Sequence, residues 1–395
     1  MIECEPMATR PRLATPAFGL VCGSTFFVYL SFYVLLPVIP VYAVRRGIRE
    51  SGVGLIIGVF ALTAMVLKPW VGWALDWRGR RGLFLSGAIL FTVASVLYPL
   101  TTSTAGLLLV RVVHGAGMGF FPTAGLAVVA DLAPPLRRGE AMGVFGMASN
   151  LGLVFGPLLG VFIDRDLGFL ALCLTAGALG AVGVALALRV PETGRPASPP
   201  PFRVADLFAP AALRPALITL ALFLAYGAVI SFLPLLTTAR GIGNPGIFYA
   251  VMALALLGVR ARAGQLSDRF GREAVVLPAT AIVAAALGLL AGATSGLALY
   301  GAGFLLGAGM GTAQPALMAW SADLVAPGDR GKAMGTFHTA WELGIGAGSI
   351  LFGLLLPLGG FGSLFLGGAV IALAGGTLTV SGLGRPPRPL ERPNL

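Results

Sequence analysis

Short polar gaps divide the sequence into apolar runs that are each long enough to cross a lipid bilayer. A helix needs roughly 20 residues to cross about 30 Å of hydrocarbon. Twelve such runs can be placed, at residues 17–40, 53–72, 82–100, 105–130, 141–163, 167–189, 213–238, 246–264, 274–293, 296–322, 333–356 and 362–382. Because lipid offers no hydrogen bonds to a peptide backbone, each run is predicted to be a helix and the chain an all-α membrane protein.

Composition excludes a water-soluble fold, since 57% of the residues are hydrophobic and 11% are charged, against roughly 25% charged in a soluble domain. The net charge of +11 does not indicate nucleic-acid binding, because the basic residues lie in short gaps between apolar runs. Neither the three cysteines nor the two histidines have metal-site spacing, so no metal is predicted. Hydrolase, metalloprotease and ATPase motifs are absent, so the chain is not predicted to be an enzyme, and a proton gradient is its expected energy source.

The distribution of basic residues predicts the orientation. Of 27 Lys and Arg residues, twenty lie in the two tails, the central gap and every second loop, whereas five lie in the opposite loops. Positively charged loops stay on the cytoplasmic side, so both termini are predicted to be cytoplasmic and the chain to lie in the cell's inner membrane. Arg45, Arg46 and Arg49 cluster in one outer loop, against this rule.

A repeat with a constant offset of 192 residues relates the two halves of the chain. The runs 115–119 and 307–311 are both Gly-Ala-Gly-Met-Gly. The other recurring pairs include Gly72 and Gly264, Asp76 and Asp268, Gly79 and Gly271, Arg80 and Arg272, and Asp131 and Asp323. Two six-span halves are therefore predicted at 1–190 and 213–395, joined by a Pro-rich cytoplasmic linker at 191–212. An even number of spans per half makes the repeats parallel, with a substrate site near the midplane between them.

These motifs resemble the major facilitator superfamily over nearly the whole chain. The segment 72–81 is similar to the family's loop signature, although Trp77 stands where a basic residue is usual, and 264–272 fits it better. Arg111 together with 114–117 resembles the family's motif in the fourth span. The resemblance implies two pseudo-symmetric six-helix bundles with twelve transmembrane helices.

Two further patterns favour one branch of that family. The segment 152–160 resembles the fifth-span motif of antiporters, and Pro37 and Pro40 resemble a pattern common in drug-efflux members. Gly152, Gly156, Pro157 and Gly160 are also predicted to bend the helix and let it approach a neighbour closely. Ser349 replaces Pro157 in the second half, so the kink is expected on one side only.

The loop signature is predicted to gate the cytoplasmic side, through Gly72, Asp76, Gly79, Arg80 and their repeat partners Gly264, Asp268, Gly271 and Arg272. In the family, the acid equivalent to Asp76 holds the halves together when the outer face is open. A carboxylate facing a helix N-terminus, here that of the eleventh span, contributes about 1 kcal/mol. Gly79 supplies backbone freedom on the tight turn. The alternative is an ordinary solvated turn.

Glu342 is the most informative acid, because no other span interior holds a clear one. It lies ten residues into the eleventh span, which is ~15 Å at 1.5 Å per residue. A carboxyl at this depth is predicted to carry a proton or contact a cation, and His338, one turn away, is expected to share a proton or a hydrogen bond with it. The alternative is a buried structural hydrogen bond.

Three basic residues fall on the predicted spans. Arg111 must face the bundle interior or a wet cavity, and the resemblance gives it a role in coupling or substrate contact, against a structural role bonded to carbonyls. His114 shares roughly its face; it is a candidate for the same roles, but a packed, hydrogen-bonded histidine is the commoner case. Lys68 lies one turn before Gly72 and is predicted to extend to the interface.

The leading prediction is a secondary transporter that works by alternating access and exports a small amphipathic molecule coupled to protons. Its expected partners are the substrate, protons and the bilayer, and a single chain suffices to enclose a site, so a monomer is expected. An importer or uncoupled facilitator of a sugar or organic acid remains an alternative, as does a non-transporting membrane sensor. Cavity candidates, which lipid or core packing would equally explain, are Tyr29, Phe32, Tyr33, Tyr226 and Phe232.

Overall fold

The computed structural model describes residues 13–194 and 207–380, and at Asp76, Leu136, Ala261 and Val380 it describes the backbone alone. These ranges are helical, without a strand. The helices are α1 Pro16–Leu35, α2 Val38–Arg45, α3 Glu50–Arg78, α4 Arg81–Leu97, α5 Thr104–Leu132, α6 Arg138–Ala187, α7 Leu213–Arg240, α8 Pro245–Phe270, α9 Arg272–Ala291, α10 Gly296–Asp323 and α11 Arg330–Val380. Both predicted cytoplasmic tails and most of the predicted linker lie outside the described residues.

The described helices account for the twelve expected spans. Nine segments are long and apolar enough to cross a membrane, and α8, which bends by 48°, adds a tenth. The helices α6 and α11 have 50 and 51 residues, about 75 Å at 1.5 Å per residue, which is more than twice the hydrocarbon thickness. Each turns back at a glycine with positive φ, Gly168 and Gly360, and these two glycines are again 192 residues apart. Each helix is therefore two spans.

The spans alternate between two ends of the bundle. We call the end at which α1 begins the terminal end; the turns at 78–81 and 270–272 lie there. The opposite end, with the turns at 45–50 and 240–245 and the bends at Gly168 and Gly360, is called the far end. Which end faces the cytoplasm stays a prediction from the basic residues.

The same helix pairings recur in both halves. In the first half α6 packs along α1 and α5 packs between α3 and α4, and in the second half α11 packs along α7 and α10 packs between α8 and α9. Across the halves α3 packs on α11 and α6 packs on α8. The 192-residue repeat maps each of these two cross-half contacts onto the other. The fold is thus the pseudo-symmetric pair of six-helix bundles that the sequence predicts.

Small residues bring the two halves into backbone contact near the far end. A Cβ atom on Gly54 would lie 2.2 Å from the Ser349 carbonyl oxygen, and one on Gly58 would lie 2.7 Å from that of Gly346. We call these four residues of α3 and α11 the far-end seam. On the other side of the bundle, a Cβ on Gly246 would lie 2.7 Å from the Pro157 carbonyl oxygen. The far end is therefore the closed end in this conformation.

Four basic residues at the far end, Arg45, Arg46, Arg165 and Arg240, have local partners that stabilise them against the charge rule. Arg45 pairs with Asp164 at 2.9 Å, and Arg165 pairs with Asp166 at 2.7 Å. Arg46 donates to the Thr101 carbonyl, at 2.8 Å. Arg240 donates to carbonyls at the end of α9, those of Leu290, Ala291 and Ala293. Local anions and helix C-termini stabilise these cations where they lie.

Candidate functional site

A buried ion pair joins the two halves of the molecule. Lys68 of α3 donates from Nζ to Oε1 of Glu342 on α11. Glu342 is 2% exposed, and the Lys68 side chain is 20% exposed. The predicted extension of Lys68 to the interface is therefore wrong. A carboxylate buried at this depth lacks water, so the nearby ammonium compensates its charge and stays inside.

The ion pair lies on the terminal side of the far-end seam. Lys68 is ten residues from Gly58, and Glu342 is four residues from Gly346, so their backbones are about 15 Å and 6 Å beyond the seam. The long lysine side chain spans much of this difference. The pair thus bridges the halves just where the close backbone contact between α3 and α11 has ended.

His338 lies one turn before Glu342 but does not form the expected hydrogen bond with it. Its ring packs against Phe337 and Trp341, with ring centroids 5.3 and 5.9 Å apart. Within the described ranges His338 makes no hydrogen bond, because the carboxylate of Glu342 is taken by a full cation, which binds it more strongly than a neutral imidazole would. A role of His338 in coupling stays a prediction.

A group of three tyrosines from both halves begins next to Glu342. Tyr29 and Tyr33 of α1 stack with ring centroids 5.7 Å apart. Tyr29 lies near the carboxylate of Glu342. Tyr33 lies near Tyr226 on α7. Among the described residues, no group bonds to the hydroxyls of these three tyrosines. We call the ion pair and these three tyrosines the central site.

Other aromatic residues pack into the core around the central site. Phe223 of α7 stacks with ring centroids 4.2 Å apart on Trp341, which precedes Glu342 in the chain. Phe32 and Phe232, which were cavity candidates, are buried in the core. Phe32 packs on Phe60, at 5.1 Å between ring centroids. The core alternative therefore holds for these two phenylalanines.

Arg111 and His114 belong to a buried polar cluster inside the first half. Arg111 is 2% exposed; its Nε donates to the Ile56 carbonyl at 3.0 Å, and its Nη1 donates to the Tyr98 hydroxyl at 3.3 Å. The guanidinium also lies over the Phe60 ring, 4.4 Å from its centroid. No carboxylate of the described chain pairs with it. Since Ile56 lies between Gly54 and Gly58, Arg111 holds the segment of α3 that forms the far-end seam.

His114 is a packed, hydrogen-bonded histidine, which is the commoner of the two predicted alternatives. Its Nδ1 is 2.9 Å from the Tyr98 hydroxyl oxygen, and its ring meets Phe32, Phe60 and Phe91 edge-on at 5.0–5.4 Å. Nε2 is buried without a hydrogen-bond partner in the described structure. This geometry supports a structural role for His114, and its role in transport stays a prediction.

The two loop signatures form equivalent ion pairs at the terminal end. Arg80 pairs with Asp131, and Arg272 pairs with Asp323 at 2.9 Å, so each pair joins residues 51 positions apart. The expected backbone freedom is confirmed, since Gly79 and Gly271 have φ of 85° and 91°. Each arginine clamps the turn onto the end of another helix of its own half.

The gating role of the signatures stays a prediction. The side chain of Asp76 lies outside the described residues, and its expected position at the N-terminus of α11 stays a prediction. In the second copy, Asp268 pairs with Arg272. Cβ atoms on Gly72 and Gly264 would meet no heavy atom within 4 Å, so contacts in this conformation do not require glycine at these two positions.

Sequence reasoning missed Glu192, which caps α4. Its carboxylate accepts hydrogen bonds from the backbone N–H of Arg80 at 2.7 Å, Arg81 at 3.2 Å and Gly194 at 3.0 Å. Partial burial raises the pKa of Glu192, but the backbone N–H donors outweigh this and lower it overall. The available signal was a lone acid directly after the sixth span, opposite the positive end of a helix.

Replacing Glu192 by alanine is expected to lower the free energy of unfolding by about 1 kcal/mol, the usual worth of a helix cap. Because its pKa is depressed in the fold, the stabilisation is present above the unfolded value of about 4.3 and is lost as the pH falls through the folded value. Thermal unfolding of the purified protein between neutral and acidic pH measures both effects. Glu140→Gln is the control, since it removes an exposed pair with Arg137 and should change little. Equal effects of the two variants would contradict the cap.

The glycines of the fifth-span motif pack the first limb of α6, residues 138–167, onto α1. Cβ atoms would lie 2.5 Å from Tyr33 Cβ if added to Gly156 and 1.9 Å from the Val34 carbonyl oxygen if added to Gly160, and Gly152 faces α1 in the same way. In the second half Gly348 packs on α7 just as closely. The predicted close approach is confirmed, and it fixes the position of Tyr33 in the central site. The link to antiport and the one-sided kink at Pro157 stay predictions.

Comparisons with known proteins agree with this architecture. The sequence profile of the Major Facilitator Superfamily matches residues 21–272 and 261–395. The staphylopine export protein of Staphylococcus aureus is 25% identical over 351 residues, covering 84% of this chain and 87% of that protein. The quinolone resistance protein NorA of the same species is 29% identical over 138 residues, or 35% and 36% of the two chains. The crystal structure of the nucleoside transporter NupG matches with a TM-score of 0.79 at 12% identity, over 92% of this chain and 99% of that one.

Proposed function

The chain belongs to the Major Facilitator Superfamily, and we propose that it exports a small amphipathic molecule across the cell's inner membrane in exchange for protons. It is a multi-pass membrane transporter. The observation that supports the finer proposal is the ion pair between Lys68 and Glu342, because a carboxyl, a group that can take up a proton, lies there between the two halves. The export direction is supported by the names of two relatives, one an export protein and one a resistance protein.

Protonation of Glu342 alters the contact between the halves. A neutral carboxylic acid no longer compensates Lys68, and losing one partner of a buried ion pair costs about 3–5 kcal/mol. That energy is large enough to shift a two-state equilibrium nearly completely. Proton binding at Glu342 therefore releases α3 from α11, which lets the two halves move relative to each other.

Alternating access then follows from the two cross-half contacts. In this conformation the halves meet at the far end, through the far-end seam and through Gly246 against Pro157. Rocking of the halves would open these contacts and close the terminal end, where the two loop signatures would act as gates. One chain supplies both sides of the central site, so we expect a monomer to be sufficient.

Proton efflux from proteoliposomes tests the proposal. The full chain is reconstituted into the membrane of vesicles with an acidic lumen. A panel of drugs, sugars and organic acids is added outside, and the lumenal pH is recorded. We expect compound-evoked proton release that depends on the protein. Compounds that cross without moving protons would indicate a facilitator or a different coupling ion, and would overturn the proton step.

The tyrosine hydroxyls of the central site are expected to contact the substrate. Tyr33→Phe and Tyr226→Phe each remove a hydroxyl that bonds to no described group, and should weaken the apparent affinity by about 2- to 10-fold, the worth of one hydrogen bond. Tyr249→Phe is the matched control, because its hydroxyl donates to the Val229 carbonyl inside the core. That variant should lower stability and leave affinity unchanged. Affinities come from the concentration dependence of proton release.

A further inference from the structure

The ion pair between Lys68 and Glu342 restricts the charge of a ligand in the central site. Each group is the charged partner of the other, so neither is available to a ligand without displacing its mate. An organic cation bound to Glu342 would leave the Lys68 ammonium beside it, uncompensated. An anion bound to Lys68 would leave an unpaired carboxylate, and a neutral molecule would leave the pair unbroken.

A zwitterion replaces both contacts at once. Its carboxylate can take the three N–H donors of Lys68, and its ammonium can donate to the two oxygens of Glu342. The charges in the site then remain balanced, and two charge-assisted hydrogen bonds replace the one that was lost. A continuous series of aromatic side chains from both halves begins near Glu342: Tyr29, Tyr33, Tyr226, Phe223 and Trp341.

We propose that the substrate is an amphipathic zwitterion whose carboxylate binds Lys68, whose ammonium binds Glu342 and whose apolar body packs against these aromatic residues. This inference rests on the proposed function and names its substrate class. It is narrower than the prediction from the sequence, which named only a small amphipathic molecule. The difference arises because Lys68 reaches into the site.

The same geometry accounts for strict exchange. The intact pair ties α3 to α11, and either of two ligands breaks it, a zwitterion or a proton on Glu342. The empty transporter keeps its pair and does not cross between conformations. The substrate step carries no net charge through the site, whereas the return step, with Glu342 protonated, carries the charge of Lys68. One positive charge therefore moves inward for each molecule exported.

A matched series of probes tests the substrate class. L-tryptophan, tryptamine and indole-3-propionate share one apolar body and carry both charged groups, the amine alone or the carboxylate alone; L-phenylalanine, phenethylamine and 3-phenylpropionate repeat the set. Binding is measured as the shift in thermal unfolding of the purified full chain. We expect the zwitterions to bind about 10- to 100-fold more tightly than the amines or acids. Amines that bind as tightly as the amino acids, or zwitterions that give no shift at millimolar concentration, would overturn the proposal.

Variants of Lys68 and Glu342 test which charged group of the substrate each residue binds. Lys68→Met should reduce the affinity for the amino acids to that of the amines, and Glu342→Gln should reduce it to that of the acids. The double variant K68M/E342Q leaves no unpaired charge and keeps the experiment decisive if a single variant does not fold. It should bind all three members of a set equally. Retained preference for the zwitterion in the double variant would contradict the assignment.

Proton flux separates this inference from the proposed function. If the amino acids bind and cross without moving protons, the substrate class stands and proton exchange fails. If tryptamine evokes proton release and L-tryptophan does not, proton exchange stands and the zwitterion is overturned.

Discussion

Replacing Glu342 by glutamine is expected to abolish substrate-dependent proton release, with a fall of at least about 100-fold. The amide has nearly the shape of the carboxyl but cannot carry the proton, and it leaves Lys68 without its counter-charge. Loss of one partner of a buried pair costs about 3–5 kcal/mol, which corresponds to a factor of 100 or more in an equilibrium. The measurement is lumenal pH in proteoliposomes that contain equal amounts of folded protein.

Two further variants distinguish loss of the proton carrier from loss of structure. K68M/E342Q removes both charges and should regain the thermal stability that the single variant loses, while proton release stays absent. Glu342→Asp keeps a carboxyl and should retain part of the release. Normal proton release by Glu342→Gln would exclude Glu342 as the proton carrier.

Replacing Gly54 by leucine is expected to force the far end open. Even a single Cβ atom there would lie 2.2 Å from the Ser349 carbonyl oxygen and 3.1 Å from Gly353 Cα, and both are backbone atoms that cannot turn aside. Overpacking of this kind costs about 1–3 kcal/mol, which shifts a two-state equilibrium about 5- to 150-fold. A cysteine placed at Tyr33, with the native cysteines replaced, should react faster with a membrane-impermeant maleimide added on the far side.

Gly288→Leu is the control for that experiment. A Cβ atom on Gly288 would meet no heavy atom within 4 Å, so its labelling rate should match that of the parent. If Gly54→Leu remains folded and its labelling rate does not change, the far-end seam is not the contact that opens.

The fold was predictable because both of its causes can be recognised in the amino-acid sequence. Lipid imposes a minimum length on every apolar run, and a duplication leaves the same residues at a fixed offset, down to Gly168 and Gly360. The predicted bounds are within six residues of the observed helix ends. The merged helices α6 and α11 separate into spans only because length and the bend glycines are considered together.

The central site was predictable in part. The depth of Glu342 follows from counting along one helix, but its partner is 274 residues away. Lys68 was assigned from its neighbours on α3, and local spacing carries no information about which helix of the other half it meets. The phenylalanines and tyrosines of α1 could not be separated either, because a helix that is apolar all round shows no stripe that marks its inner face. The cap by Glu192 was missed for the same reason as the partner of Glu342, because the helix that it caps is distant in the sequence.

The repeat also shows where the two halves have diverged. The contact between α3 and α11 maps onto the contact between α8 and α6, and there Arg260 corresponds to Lys68 while Asn150 corresponds to Glu342. Asn150 donates to the Gly146 carbonyl of its own helix at 2.8 Å and has no proton to exchange. Acids at both positions would allow two protons to be carried in each cycle. Because only one of these two equivalent positions holds an acid, the stoichiometry expected of the present chain is one proton per molecule exported.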